Sequence, residues 1–136
     1  VWVSSARHAA HEKDPLPLAV FDKKCRFRQW ALDSLEQAGR ACRICYTSPS
    51  VTGVLAAVEA GLAVAPLGLS SVPDGALVLG PGQGFPPLPM TSIILALACA
   101  EPSRPVLRLA EAVRSGLAQG TARKRSRWLG FAGRTI

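Results

Sequence analysis

No stretch of this sequence is apolar for long enough to cross a bilayer. The longest run, residues 93–100, falls far short of the ~20 residues a membrane-spanning helix needs. Nor does any stretch join a basic start, an apolar middle and a small-residue cleavage site, so no secretory signal is read. Histidine occurs only as His8 and His11, both in a polar stretch, so a nucleophile would lack a nearby base. The 9 Asp and Glu residues are scattered, and Asp22 and Asp74 fall at turns, where Asp serves the backbone. There is no Gly-x-Ser-x-Gly elbow. We therefore read no catalytic residues and no enzyme.

Acidic residues are missing from one end of the chain. Residues 1–120 hold 11 Lys/Arg and all 9 Asp/Glu, a balance of 11 − 9 = +2. Residues 121–136 add Arg123, Lys124, Arg125, Arg127 and Arg134 without one acid, which completes the net +7. The basicity thus belongs to a tail, and the rest is near neutral. The 4 cysteines, Cys25, Cys42, Cys45 and Cys99, form only one Cys-x-x-Cys, at 42 and 45. That pair lies in a predicted strand, where positions three apart point to opposite faces. No metal site and no cofactor are expected, and unpaired thiols fit a reducing, cytoplasmic setting. The chain opens on Val1 without Met, and we read it as part of a longer protein.

What is present is an alternation of strands and helices. Strands are predicted at residues 1–5, 16–21, 41–47, 62–67 and 76–79. A further strand at 90–100 is apolar on both faces, as a buried central strand would be. Helices are predicted at 25–38, with Phe27, Ala31, Leu35 and Ala38 on the apolar stripe, and at 50–60, with Val51, Leu55, Val58 and Leu62. Gly39 and Gly61 stop them. A last helix, 103–117, starts at Ser103. The β-α-β-α-β order of residues 16–67 argues for a parallel sheet covered by helices. The Gly80-x-Gly82-x-Gly84 run opens no helix and precedes no Lys-Ser/Thr pair, so it is a loop and not a phosphate cradle.

One stretch is more specific. Tyr46-Thr47-Ser48 ends a strand, Ser48 and Ser50 offer helix caps, and Val58-Glu59-Ala60-Gly61-Leu62-Ala63-Val64-Ala65-Pro66-Leu67 closes on a strand ending near Pro66. This run resembles the effector-binding domain of LysR-type transcriptional regulators, with Ala63 where that family usually has a second Gly. Val1-Trp2-Val3 resembles the family's crossover strand, residues 16–21 and 25–38 the first strand and helix of its second subdomain, and residues 88–98 its last strand. The resemblance spans roughly residues 1–118. It implies an α/β fold: a type 2 periplasmic-binding-protein-like, Rossmann-like subdomain with a mostly parallel sheet flanked by helices. It further implies a crossover strand at 1–5, a second subdomain at 6–100, a helix at 101–118 returning to a first subdomain, and a basic flexible tail at 119–136.

Function follows from the sheet. In a parallel α/β sheet, strand-to-helix turns face the ligand crevice, and helix N-termini favour polar or anionic groups. The expected effector-facing edge is Phe21, Asp22, Cys25, Arg26 and Phe27 with Thr47, Ser48, Pro49 and Ser50. Ser48 and Ser50 would also cap a helix in any protein, whatever its function. The resemblance implies a sensor of a small-molecule effector. DNA would be reached only through a winged helix-turn-helix domain absent from this chain. A homo-oligomer and no membrane association are expected. The alternatives are a fragment of a periplasmic solute-binding protein, serving transport, and an interaction module presenting Trp30, Val20 and the last helix.

Overall fold

The computed structural model describes residues 1–132. Its first eighty-odd residues alternate strands and helices as the hydrophobic pattern demands. The strands are β1 (Trp2–Ser4), β2 (Leu16–Val20), β3 (Cys42–Thr47), β4 (Ala65–Pro66) and β5 (Leu77–Leu79). The helices are α1 (Arg26–Gln37), α2 (Val51–Glu59) and α3 (Arg104–Ala132). Two compact units result, Val1–Pro89 and Met90 onward.

In the first unit β2 and β3 pair in parallel. Leu18 bridges Val64 in parallel, with the Ala19 N–H donating to the Val64 carbonyl and the Val64 N–H to the Pro17 carbonyl, both at 2.9 Å. The β-α-β-α-β segment is therefore parallel throughout, as its alternation predicted. The rest corrects the expectation of a mostly parallel sheet. β1 runs against both β4 and β5, so that three-stranded sheet, in the order β4-β1-β5, is antiparallel. The expected reading counted strand and helix alternation, but β1 precedes the alternating segment and enters in the opposite direction.

Side chains alternate across these strands and give each helix its own face. Leu16, Leu18, Val20 and Val64 pack with Ala31 and Leu35 of α1. Ala19, Phe21, Ala63, Ala65 and Leu67 pack with Val54, Ala57 and Val58 of α2. Trp2 belongs to the α1 side, with its indole ring 5.6 Å from that of Phe85 and its N–H donated to the Pro86 carbonyl at 2.8 Å. Val20 is fully buried, which removes it from the interaction surface expected of it.

The expected α2 stripe holds in part: Val58 is buried and Leu55 packs against the same core. Val54, Ala57 and Val58 are buried, whereas Val51 is exposed and Leu62, beyond the helix, is 58% exposed. This short helix is apolar on most sides, so periodicity alone does not choose its inner face. On α1, Ala31 and Leu35 are buried as expected, and Ala38 is exposed past the helix end.

The second unit departs further. Residues 90–100 form no strand, and their side chains are exposed, Ile94 at 85%. Among the described residues no strand supplies that segment with a ladder partner. α3 runs to Ala132 and not to residue 117. Gly116 and Gly120 each cost about 1 kcal/mol in a helix interior, and the Ala, Leu, Arg and Lys residues around them favour helix. The expected flexible tail thus coincides with helix over 119–132, and its residues 133–136 lie outside the described residues.

Candidate functional site

β2, β3 and the bridge into β4 run in one direction, so the segments leaving their C-terminal ends meet at one edge. Residues 21–25 leave β2, Ser48-Pro49-Ser50 leaves β3, and Leu67-Gly68 leaves β4 before a 3₁₀ turn, Leu69–Ser71. The Ser48 N–H donates to the Val20 carbonyl at 3.1 Å, which ties the first two segments together. At Gly68 an added Cβ would lie 3.9 Å from the ring of Phe27, which puts the third segment against the start of α1.

The helix starts explain the local chemistry. Ser50 is the N-cap of α2, and its hydroxyl accepts the Gly53 N–H at 3.1 Å. The Ser48 hydroxyl accepts the Ser50 N–H at 3.2 Å, so the two serines wind the turn in series. Ser48 is only 8% exposed. Gly53 is glycine for a steric reason, because a Cβ there would collide with the Ser48 hydroxyl. Both serines thus perform the capping role that serines at such positions always have. Each hydroxyl still has its own proton to donate.

At α1 the N-cap is Cys25, half-buried and without a side-chain cap bond. Asp22 shapes the preceding turn, its carboxylate accepting the Lys24 N–H at 3.3 Å. Phe21 is buried, with its ring 6.2 Å from that of Phe27 and its carbonyl accepting from Arg28 at 3.2 Å. Phe27 is half-buried and meets Trp30 edge-on at 5.7 Å. The Arg26 guanidinium lies over Trp30 at 5.6 Å. Thr47, Pro49 and Ser50 are exposed. The edge therefore combines an aromatic wall, exposed hydroxyls, and Lys23, Lys24 and Arg26 against one carboxylate, Asp22.

The structure gathers the sequence-predicted residues at one edge and adds a segment that sequence reasoning missed. α1 leaves β2 on one face and α2 leaves β3 on the other, so the connections diverge at this edge. In open α/β sheets that divergence opens the crevice. Residues 67–71, which carry no motif, leave β4 at the same edge. Only the strand order marks them.

The Cys-x-x-Cys pair is split by an irregularity in β3. Leu18 pairs with Ile44 and Ala19 with Tyr46, so Cys45 bulges out of the ladder. Cys42 packs beside the α1 core, and burial pushes its thiol pKa up. Cys45 is exposed, and its thiol donates to the Leu18 carbonyl at 3.4 Å. Among the described residues no three His, Cys, Asp or Glu side chains stand close enough together to hold a metal ion. No helix among them is long and apolar enough to cross a membrane.

Known proteins agree with this architecture. Residues 1–118 match the family model described as the LysR substrate binding domain. The HTH-type transcriptional regulator DgdR of Burkholderia cepacia is 33% identical over 117 residues, covering 86% of this chain and 40% of that protein. The HTH-type transcriptional regulator PecT of Dickeya dadantii (strain 3937) is 32% identical over 121 residues, covering 89% of this chain and 37% of that protein. The chain spans about 40% of the length of these curated relatives. With the family match covering nearly the whole chain, this protein belongs to the LysR substrate-binding domain family, a family of transcriptional regulators and not of enzymes.

Proposed function

We propose that the chain is the effector-sensing, co-inducer-binding part of a LysR-type transcriptional regulator. It is the second subdomain of a type 2 periplasmic-binding-protein-like sensor, and it performs no catalysis. The observation that carries this is the single edge where the segments leaving β2, β3 and β4 converge, with the starts of α1 and α2 beside them. A small molecule docks there, against Phe21, Phe27 and the hydroxyls of Thr47 and Ser50, with Gly68 across the crevice. Residues 90–100 and the first turns of α3 lead to the other subdomain. Their exposed apolar side chains support that reading, since contiguous apolar surface of this kind is normally covered.

In the whole protein, effector occupancy modulates DNA binding by a winged helix-turn-helix domain outside this chain, in the cytoplasm. The regulator works as a homo-oligomer. α1 and the exposed edge strand β3, whose Ile44 and Tyr46 are open to solvent, are the candidate contacts. The names of the relatives favour regulation over transport.

The test uses the intact regulator. A panel of small organic acids and polar metabolites is screened for thermal stabilisation, and the strongest hit is titrated against wild type and Gly68→Phe. A Cβ at Gly68 meets Ser70 and Phe27 only at ordinary contact distances of 3.8 and 3.9 Å, so a side chain can be started there to block the crevice. Loss of the titration with an unchanged melting temperature is expected. A titration that survives both Gly68→Phe and Phe27→Ala places the effector elsewhere.

A further inference from the structure

The last residues of the first unit form a strap with little regular structure of its own. Residues 80–89 contain Gly80, Gly82 and Gly84 with Pro81, Pro86, Pro87 and Pro89, and only the 3₁₀ turn Pro81–Gln83 is regular. Side chains from elsewhere hold it. The Trp2 indole N–H donates to the Pro86 carbonyl at 2.8 Å. The Ser34 hydroxyl of α1 donates to the Pro87 carbonyl at 3.3 Å. Phe85, 1% exposed, packs into the core on the α1 side, with Leu88 against it.

Arg40 is the centre of this hold. It lies just past the C-terminal end of α1, the end opposite the candidate effector edge. Its backbone N–H donates to the Leu35 carbonyl at 2.9 Å, which fixes where the side chain starts. Its guanidinium lies over the Phe85 ring, 4.1 Å from the centroid. Nη1 donates to the Gly84 carbonyl at 3.1 Å and Nη2 to the His11 carbonyl at 2.6 Å. A planar guanidinium stacks on a ring and donates in two directions at once, which a lysine ammonium does not do. Phe85 in turn meets Trp2 of β1. One side chain thus joins the end of α1, the turn at 10–12, the strap and, through Phe85, β1.

Hinges are a few loop residues that absorb backbone rotation. Proline fixes φ at 86, 87 and 89, so the freedom of the strap is concentrated at its glycines. Arg40 holds the carbonyl of the last of these, Gly84. Beyond Pro89 the chain passes into the second unit.

We propose that Arg40 is a positioning residue for the hinge of the sensor: it clamps residues 84–89 against β1, so that the two connections between subdomains share one fixed arrangement. This rests on the reading of the chain as one half of a two-subdomain sensor, in which β1 and the segment after Pro89 are those connections. Arg40 then sets the stiffness with which one subdomain moves against the other, without touching effector.

The experiment is a spin-label distance measurement on the intact regulator without added ligand. Labels are placed by Glu59→Cys in α2 and Arg108→Cys in α3, two exposed polar positions, with the natural cysteines replaced by serine. Labelled protein is diluted into unlabelled protein, so that distances within one chain are read. The distance distribution should widen in Arg40→Leu, and less in Arg40→Lys, which keeps the charge but not the fork. Hydrogen exchange should quicken in parallel at Gly84 and Phe85, whose N–H groups bond to the Pro81 and Gly80 carbonyls. The increase should be about tenfold or more, the worth of one bond from a charged donor. Ser34→Ala, which removes one strap bond at an exposed site, should widen the distribution slightly and keeps the test open if Arg40→Leu misfolds. Equal distributions in wild type and variants overturn the proposal. So does a lowered melting temperature with the distribution unchanged, which is what a merely structural Arg40 would give. Failure of the regulator reading looks different, because the wild type would then prefer no duplex drawn from a random pool.

Discussion

Residues 62–67 and 93–100 look alike in sequence, both mostly Leu and Ala with a β-branched Val or Ile, yet they end in opposite environments. The first lies between β1 and β2, accepting ladder partners on both sides, with residues 63–67 buried. The second forms no strand and is exposed from end to end. An apolar run states that a segment stabilises whatever covers it. It becomes a strand only where two neighbours offer unpaired N–H and C=O groups at the right spacing. Residue 64 has such neighbours within its own unit, and, among the described residues, residues 93–97 have none.

The largest expected effect breaks this contrast directly. Val64→Asp should remove cooperative folding of the chain, a loss of about 4 kcal/mol or more, because a buried carboxylate has no partner there. Ile94→Asp should shift stability by less than about 0.5 kcal/mol, as at other exposed positions. Urea titrations of the two variants decide it. A comparable loss for Ile94→Asp would mean that the second run is covered in solution.

A smaller effect tests how α2 is seated beside the first run. Gly53→Ala should destabilise by about 1–3 kcal/mol through overpacking against Ser48, although alanine gains about 1 kcal/mol in helix propensity. Ser48→Gly added to Gly53→Ala should recover most of the loss, and thermal melts of both variants are the measurement. Simple stabilisation by Gly53→Ala would show that Ser48 yields at no cost.

Ser50→Ala sharpens the same region, removing the cap at the start of α2 for about 1 kcal/mol. The loss should appear as faster amide exchange in residues 51–54, with residues 90–100 exchanging freely in both proteins. Protection unchanged at 51–54 would mean the turn formed by Ser48 suffices.

The smallest effect concerns one strand. Cys45 should be alkylated before Cys42, because burial raises the Cys42 thiol pKa and so lowers its thiolate fraction at any given pH. Timed maleimide labelling read by mass spectrometry checks the order. Equal rates would mean that β3 opens at its exposed edge.

Much of the first unit was legible because its signals are local. Ser50 caps the helix it precedes, and Gly39 and Gly61 end α1 and α2 at φ +65° and +71°, which glycine adopts without strain. The candidate edge was legible as far as residues 21–27 and 47–50, since a turn between strand and helix carries its own residue chemistry. The segment at 67–71 was not, because Gly68 and Leu69 reach that edge only through the strand order that puts β4 beside β2. The inner face of α2 was hidden by an excess of apolar residues. The end of α3 was hidden by glycines that a long helix tolerates.

By itself the sequence determined the order of strands and helices through residue 67, their caps and stops, the family, and the segregation of charge to one end. These follow from backbone preferences and from residue types acting within a few positions of one another. Tertiary structure alone decided that β1 runs against its neighbours, that Leu18 meets Val64, that α1 and α2 take opposite faces, and that residues 90–100 find no ladder partner among the described residues. Those outcomes depend on hydrogen bonds and contacts between residues tens of positions apart, whose partners no local pattern names.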